Sequence, residues 1–140
     1  MIDKNTLAEI AKLNGLKLWQ QEKHYIQSLI LAILAQEPLA FKGGTYLWFF
    51  HGLKRFSEDL DFTATQKSGK DLPKKVSSSL ELLGVENKII ADNEKTLSFR
   101  ISASGPLNSG ERDECIVYVE ISQRELLQKK TIPLKLDFPA

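Results

Sequence analysis

The chain has 140 residues, 42% of them hydrophobic and 26% charged, which suits one globular domain with a packed core and excludes a disordered chain. Nineteen Lys and Arg against eighteen Asp and Glu leave a net charge of +1, so bulk charge does not mark a nucleic-acid binder, although a local basic patch remains open. A single cysteine, Cys115, excludes an internal disulfide; with no N-terminal signal pattern and no apolar run longer than "LILAIL" (Leu29 to Leu34), we expect a cytoplasmic protein with no membrane span.

The N-terminal segment carries Leu7, Ile10, Ala11 and Leu13 at helical spacing, with Asp3 or Asn5 as cap and Gly15 as stop. A longer helix is expected from Lys17 to Gln36. Its first half is polar (Gln20, Gln21, Glu22, Lys23), its second half almost wholly apolar, and Pro38 follows it. "LAFK" reads as a short extended link into Gly43 and Gly44. "TYLWFFHG" has helical length, ends at Gly52, and offers Trp48, Phe49, Phe50 and His51 as core.

"DLDFTAT" alternates polar and apolar and reads as a strand. "SGKDLP" is a loop, and Lys74 to Leu83 a helix with Leu80 and Leu83 inward and Gly84 as cap. Three further strands are expected in "VENKIIA", "TLSFRISA" and "ECIVYVEIS". "DNEK" turns between the first two, and "SGPLNSGERD" is a longer loop before the third. Helices, a strand, a helix and three strands make an α+β (mixed α/β) domain with N-terminal helices and a mixed sheet of four or five strands. The last residues, "TIPLKLDFPA", read as a strand or extended tail, and we expect the chain to continue in a longer protein.

The chemistry concentrates between Lys42 and Phe62. Asp59 and Asp61 lie two apart on a predicted strand, so both side chains point to one face while Leu60 and Phe62 point to the other. Two adjacent carboxylates repel each other, and a hard divalent cation such as Mg²⁺ or Mn²⁺ removes the objection. A solvated strand edge would also carry such a pair. Gly43 and Gly44 stand where a helix should begin. Unpaired N–H groups and the positive end of a helix dipole there would suit a phosphate, with the Thr45 hydroxyl beside it. By itself a Gly-Gly before a helix is usually a turn. An anion site joined to a cation site by one short helix suits a metal-bound nucleoside triphosphate.

Gly-Gly-Thr, a short helix and then "RFSEDLDF" resembles the nucleotidyltransferase superfamily that includes DNA polymerase β. There a glycine-rich element precedes a strand with paired carboxylates, and a later strand supplies a third. More closely, "KGGTYL…RFSEDLDF" resembles the AbiEii/AbiGii toxin family, the toxin half of type IV abortive-infection toxin–antitoxin systems. Gly43, Gly44, Thr45, Arg55, Ser57, Asp59 and Asp61 all fall in register, and the likeness extends from about Tyr25 to Phe138. The resemblance implies a minimal nucleotidyltransferase domain over residues 1–140, followed by a helical C-terminal half with a lysine and an Arg-Asp element beyond this chain's last residue.

It also implies a third carboxylate in the last strand. In "CIVYVEISQRE", Ile116, Tyr118, Glu120 and Ser122 share one face, and Glu120 is the acid inside the strand. On this reading Asp59, Asp61 and Glu120 are the catalytic, metal-holding set, and Gly43, Gly44, Thr45, Arg55 and Ser57 hold the nucleotide. The donor is an NTP, the acceptor an RNA such as tRNA or a protein, and a cognate antitoxin is a further partner. A degenerate module of the same fold, binding nucleotide or a protein without catalysis, is the alternative.

Other residues are set aside. "KSGK" (Lys67 to Lys70) lacks the flanking pattern of a Walker phosphate loop. His24 and His51 have no partner at metal-ligand spacing, and Cys115 has no linked histidine. Lys70, Lys74 and Lys75 form a modest basic cluster expected beside the cleft.

Overall fold

The structure is a computed structural model, and it describes residues 1–42, 59–64, 72–93, 98–109 and 114–122. Helix α1 (Lys4–Asn14) starts because the Asp3 carboxylate accepts the Thr6 N–H at 2.7 Å, which decides between the two expected caps. That bond also holds the Asp3 carboxyl below its ordinary pKa. The helix stops at Gly15, whose φ of 67° lets its N–H turn back to the carbonyls of Ala11 and Lys12.

Helix α2 (Leu18–Leu34) begins after Lys17, whose N–H donates to Gln20 Oε1 at 3.0 Å. It ends two residues before the expected Gln36. Ile26, Ile30, Leu31 and Leu34 form its buried stripe. Its first half is polar in sequence, as read, yet two of those residues, Gln21 and Glu22, are buried. Each finds a partner, Gln21 Oε1 accepting from Asn14 Nδ2 at 2.9 Å and Glu22 Oε2 from the Leu107 N–H at 2.7 Å. Burying polar atoms is tolerable only with such bonds.

"LAFK", expected as a link, is an edge strand, β1 (Leu39–Lys42). It pairs antiparallel with β2 (Asp59–Ala64), and the rings of Phe41 and Phe62 stack across the pair with centroids 5.1 Å apart. Helix α3 (Leu72–Leu82) buries Leu72, Val76 and Leu80, one residue per turn. The chain leaves it through Gly84 (φ 84°), and the Val85 N–H closes on the Leu80 carbonyl at 2.9 Å. Asn87 then locks helix to sheet: its Oδ1 accepts from Ser77 Oγ, and its Nδ2 donates to the carbonyls of Ser77 and Val85.

Strands β3 (Asn87–Asn93) and β4 (Ser98–Ala103) are an antiparallel pair, as expected, and β5 (Cys115–Ser122) lies antiparallel beside β4. Among the described residues the sheet has five strands in the order β1-β2-β5-β4-β3, with β2 and β5 its one parallel pair. Helices α2 and α3 cover one face. There Leu60 and Phe62 of β2, Phe99 and Ile101 of β4, and Val117, Val119 and Ile121 of β5 meet Ile26, Ile30, Leu34, Val76 and Leu80 in a single core. The alternation along β4 and β5 leaves every second residue on the other face. No helix among the described residues is long and apolar enough to cross a membrane.

Candidate active site

Because strand side chains alternate, anchoring Leu60 and Phe62 in the core fixes Asp59 and Asp61 on the face away from the helices. Asp59 is exposed and Asp61 half-buried, and the next residue on that face, Thr63, is buried. Strand β5 is pinned in the same way by Val117, Val119 and Ile121, which turns Tyr118 and Glu120 outward.

The parallel pairing of β2 and β5 sets the register between the two rows. Asp59 stands opposite Tyr118, and Asp61 opposite Glu120. On the other side of β2, Lys42 holds the register position beside Asp61. The three carboxylate residues thus occupy neighbouring positions on one face of adjacent strands, with directly opposite Cβ atoms such as those of Asp61 and Glu120 about 5 Å apart and the diagonal from Asp59 to Glu120 about 7 Å.

Among the described residues no three His, Cys, Asp or Glu side chains are gathered tightly enough to enclose an ion. The donor chemistry suits one nonetheless: all three residues offer hard oxygen ligands, the type that Mg²⁺ or Mn²⁺ takes. Gly43, Gly44, Thr45, Arg55 and Ser57 lie outside the described residues, as do His51 and the aromatic cluster at Trp48, Phe49 and Phe50.

The basic cluster needs correction. Lys74 and Lys75 sit on α3, in the helical layer, so the sheet separates them from the carboxylates. Both are exposed, and Lys75 is paired with Glu37. Lys70 is outside the described residues.

A separate shallow depression of about 560 Å³ lies at the other end of β5, lined by Trp19, Glu22, Lys23, Leu107 and Cys115 among others. Burial, with the Glu22 carboxylate adding to it, pushes the Cys115 thiol up to about 12, which leaves it a protonated core residue. Burial likewise lowers His24 to about 4. Sequence reasoning did not single out Arg100 or Tyr118 as site residues, yet both share the carboxylate face, Arg100 opposite Tyr118 and Tyr118 opposite Asp59. The alternation of "SFRISA" and "CIVYVEIS" was the available signal for the face, and nothing in the sequence gives the register.

Helices on one side of a mixed sheet, with paired carboxylates on the open side of a central strand and a third on its parallel neighbour, define a nucleotidyltransferase fold. Residues 27–140 match the family described as nucleotidyl transferase AbiEii toxin, type IV toxin–antitoxin system, and the chain belongs to that family.

Three solved structures share the fold. One is a Helicobacter pylori protein described as a nucleotidyltransferase, with TM-score 0.62, 28% identity, and a match covering 76% of this chain and 46% of that one. JHP933 from Helicobacter pylori matches with TM-score 0.56 and 28% identity over 76% of this chain and 44% of that one. MenT4, a nucleotidyltransferase toxin from Mycobacterium tuberculosis, matches with TM-score 0.56 and 21% identity over 84% and 44%. The matched region spans less than half the length of each of these proteins. No curated protein sequence matches the chain.

Proposed function

We propose that this chain carries the catalytic centre of a divalent-metal-dependent nucleotidyltransferase, the toxin of a type IV toxin–antitoxin pair. It would act in the cytoplasm on an NTP and transfer its nucleotide to a hydroxyl of an RNA such as tRNA, or of a protein. The observation that supports this reading best is the register of Asp61 with Glu120 and the shared face of Asp59.

Asp59 and Asp61 would hold the ion that accompanies the triphosphate, and Glu120 would complete a second position. Bound there, Mg²⁺ or Mn²⁺ supplies charge neutralisation and makes a nearby hydroxyl more acidic. Gly43, Gly44 and Thr45 would cradle the β- and γ-phosphates, with Arg55 and Ser57 as further donors. The acceptor oxygen forms a bond to the α-phosphorus while the bond from that phosphorus to the bridging oxygen breaks. Pyrophosphate leaves, and the hydroxyl proton passes to the Glu120 carboxylate, which is exposed enough to accept it.

Calorimetry with Mg²⁺–NTP tests the site. Asp59→Asn and Asp61→Asn should abolish metal-dependent binding without unfolding the chain. Glu120→Gln should keep binding and lose transfer by about 10²- to 10⁴-fold, read as pyrophosphate release. Undiminished Mg²⁺–NTP affinity in both aspartate variants would overturn the assignment. Binding without pyrophosphate release in the parent would identify a nucleotide-binding module instead.

A further inference from the structure

The carboxylate face, which no helix covers among the described residues, continues past Asp59 and Asp61. One row across the sheet reads Asp59, Tyr118, Arg100, Ile90, each opposite the next on neighbouring strands. Tyr118 is 41% exposed, a large aromatic left on a surface, and Ile90 is 48% exposed. Arg100 is partly buried, and its Nε is shut off from solvent with no hydrogen-bond partner among the described residues. A buried donor without an acceptor is costly, and an anion that drew the guanidinium toward it would satisfy that donor. Lys88, exposed and opposite Ser102, adds a second cation one row away. Among the described residues the face therefore grades from acidic at β2 and Glu120 of β5 to basic at β4 and β3, with the Tyr118 ring between.

The side chains along the row suit one kind of substrate. Gly43 follows Lys42 directly, and Lys42 stands beside Asp61 on β1, the strand on the far side of β2 from β5. Lys42 thus marks the β1 side of the aspartates, while Tyr118 and Arg100 lie on the β5 and β4 side. Strands are about 4.8 Å apart, so the Arg100 backbone lies roughly 10 Å from that of Asp59, a distance one nucleotide can bridge. An aromatic ring followed by a guanidinium is how single-stranded nucleic acid is held without reading sequence: base on ring, phosphate on cation.

We propose that Tyr118 and Arg100 form the acceptor subsite for the terminal nucleotide of a single-stranded nucleic acid, the Tyr118 ring stacking its base and Arg100 taking its phosphate beside the Asp59–Asp61–Glu120 row. This rests on the nucleotidyltransferase reading and narrows its acceptor from RNA or protein to nucleic acid.

The test measures anisotropy of a short fluorescein-labelled single-stranded oligoribonucleotide with the whole chain, alongside Mg²⁺–NTP calorimetry. Tyr118→Ala should weaken oligonucleotide binding roughly 5- to 150-fold, the range that one stacked base supplies, and Tyr118→Phe, which keeps the ring, should rescue most of the loss. Arg100→Gln should weaken binding and reduce the slope of log affinity against log salt by about 0.7, the signature of one lost phosphate contact on a single strand, with Arg100→Lys restoring the slope. Triphosphate affinity should stay at the parent level throughout.

Unchanged oligonucleotide binding in Tyr118→Ala and Arg100→Gln overturns the subsite while leaving the metal and triphosphate assignment intact. A loss confined to NTP affinity also overturns it, by giving these residues to the donor. A parent chain that binds NTP but no oligonucleotide overturns it in favour of a protein acceptor. If instead Asp59→Asn binds Mg²⁺–NTP normally while the Tyr118 and Arg100 effects hold, the subsite stands and the metal reading fails.

Discussion

Gly105→Ala is the substitution whose cost the structure specifies most closely. A Cβ at Gly105 would lie 2.8 Å from Glu22 Oε2 and 3.0 Å from Glu22 Cγ and Cδ. Glu22 is 5% exposed and its Oε2 accepts the Leu107 N–H at 2.7 Å, so the carboxylate ties α2 to the connection between β4 and β5. The new methyl leaves two outcomes. Either Glu22 stays and the site is overpacked, at about 1–3 kcal/mol, or it moves and forfeits a hydrogen bond to a charged group, at about 1.5–3 kcal/mol. The loss of unfolded-chain entropy on replacing glycine returns about 0.4–1 kcal/mol.

The net expectation is a destabilisation of about 1–2 kcal/mol, or roughly 3–8 °C in Tm for a domain of this size. Urea unfolding followed by tryptophan fluorescence measures it. The decisive control is a cycle with Glu22→Ala, which removes the obstacle. In that background Gly105→Ala should cost less than about 0.5 kcal/mol, so the two changes are strongly non-additive. Equal costs of Gly105→Ala in both backgrounds would refute the contact as the cause.

Burial that lowers His24 from 6.5 to about 4 means the unfolded chain binds a proton that the folded one refuses. Stability should therefore fall as pH drops from about 6.5 to 4, by up to roughly 1.4 kcal/mol per unit, and His24→Gln should flatten urea midpoints over that window. Cys115, raised from 9.0 to about 12, has the opposite sign: its contribution is complete below pH 9 and drains away between pH 9 and 12. At pH 8 a thiol reagent should label Cys115 only at the rate of unfolding, and fast labelling of the folded chain would contradict its burial. Glu120→Gln should raise stability by about 0.2–1 kcal/mol in chelator, because it removes a like charge opposite Asp61, and divalent cation should cancel the gain.

The elements legible in the sequence were those whose signals are local. Asp3 and Gly15 delimit α1 within four residues of the bonds they make, and the strict alternation of "CIVYVEIS" assigns Tyr118 and Glu120 to one face before any partner strand is known. Where the cause is distant, the reading failed. Glu22 read only as part of a polar half-helix because its acceptor role is played against Leu107, 85 residues away. "LAFK" looked like a link because four residues carry too little periodicity, and only β2 beside it makes it a strand. Lys74 and Lys75 seemed to flank the cleft because nothing in a helix's own residues says which side of a sheet it will cover. The candidate site divides in the same way. The Asp59–Asp61 face follows from strand geometry, whereas the juxtaposition of Asp61 with Glu120 depends on a strand order that is not written in either strand.

That strand order sets a folding sequence. β3 and β4 are neighbours in the chain, and β5 joins β4 across residues 104–114, so these three strands can assemble early through closures more local than the one that follows. The pairing of β2 with β5 must instead close around α3 and the whole β3–β4–β5 unit, and closures of that range are the slow ones. A chain still being synthesised would carry Asp59 and Asp61 long before it carries Glu120. If the three carboxylates act together as proposed, the growing polypeptide stays inert until β5 has emerged and docked.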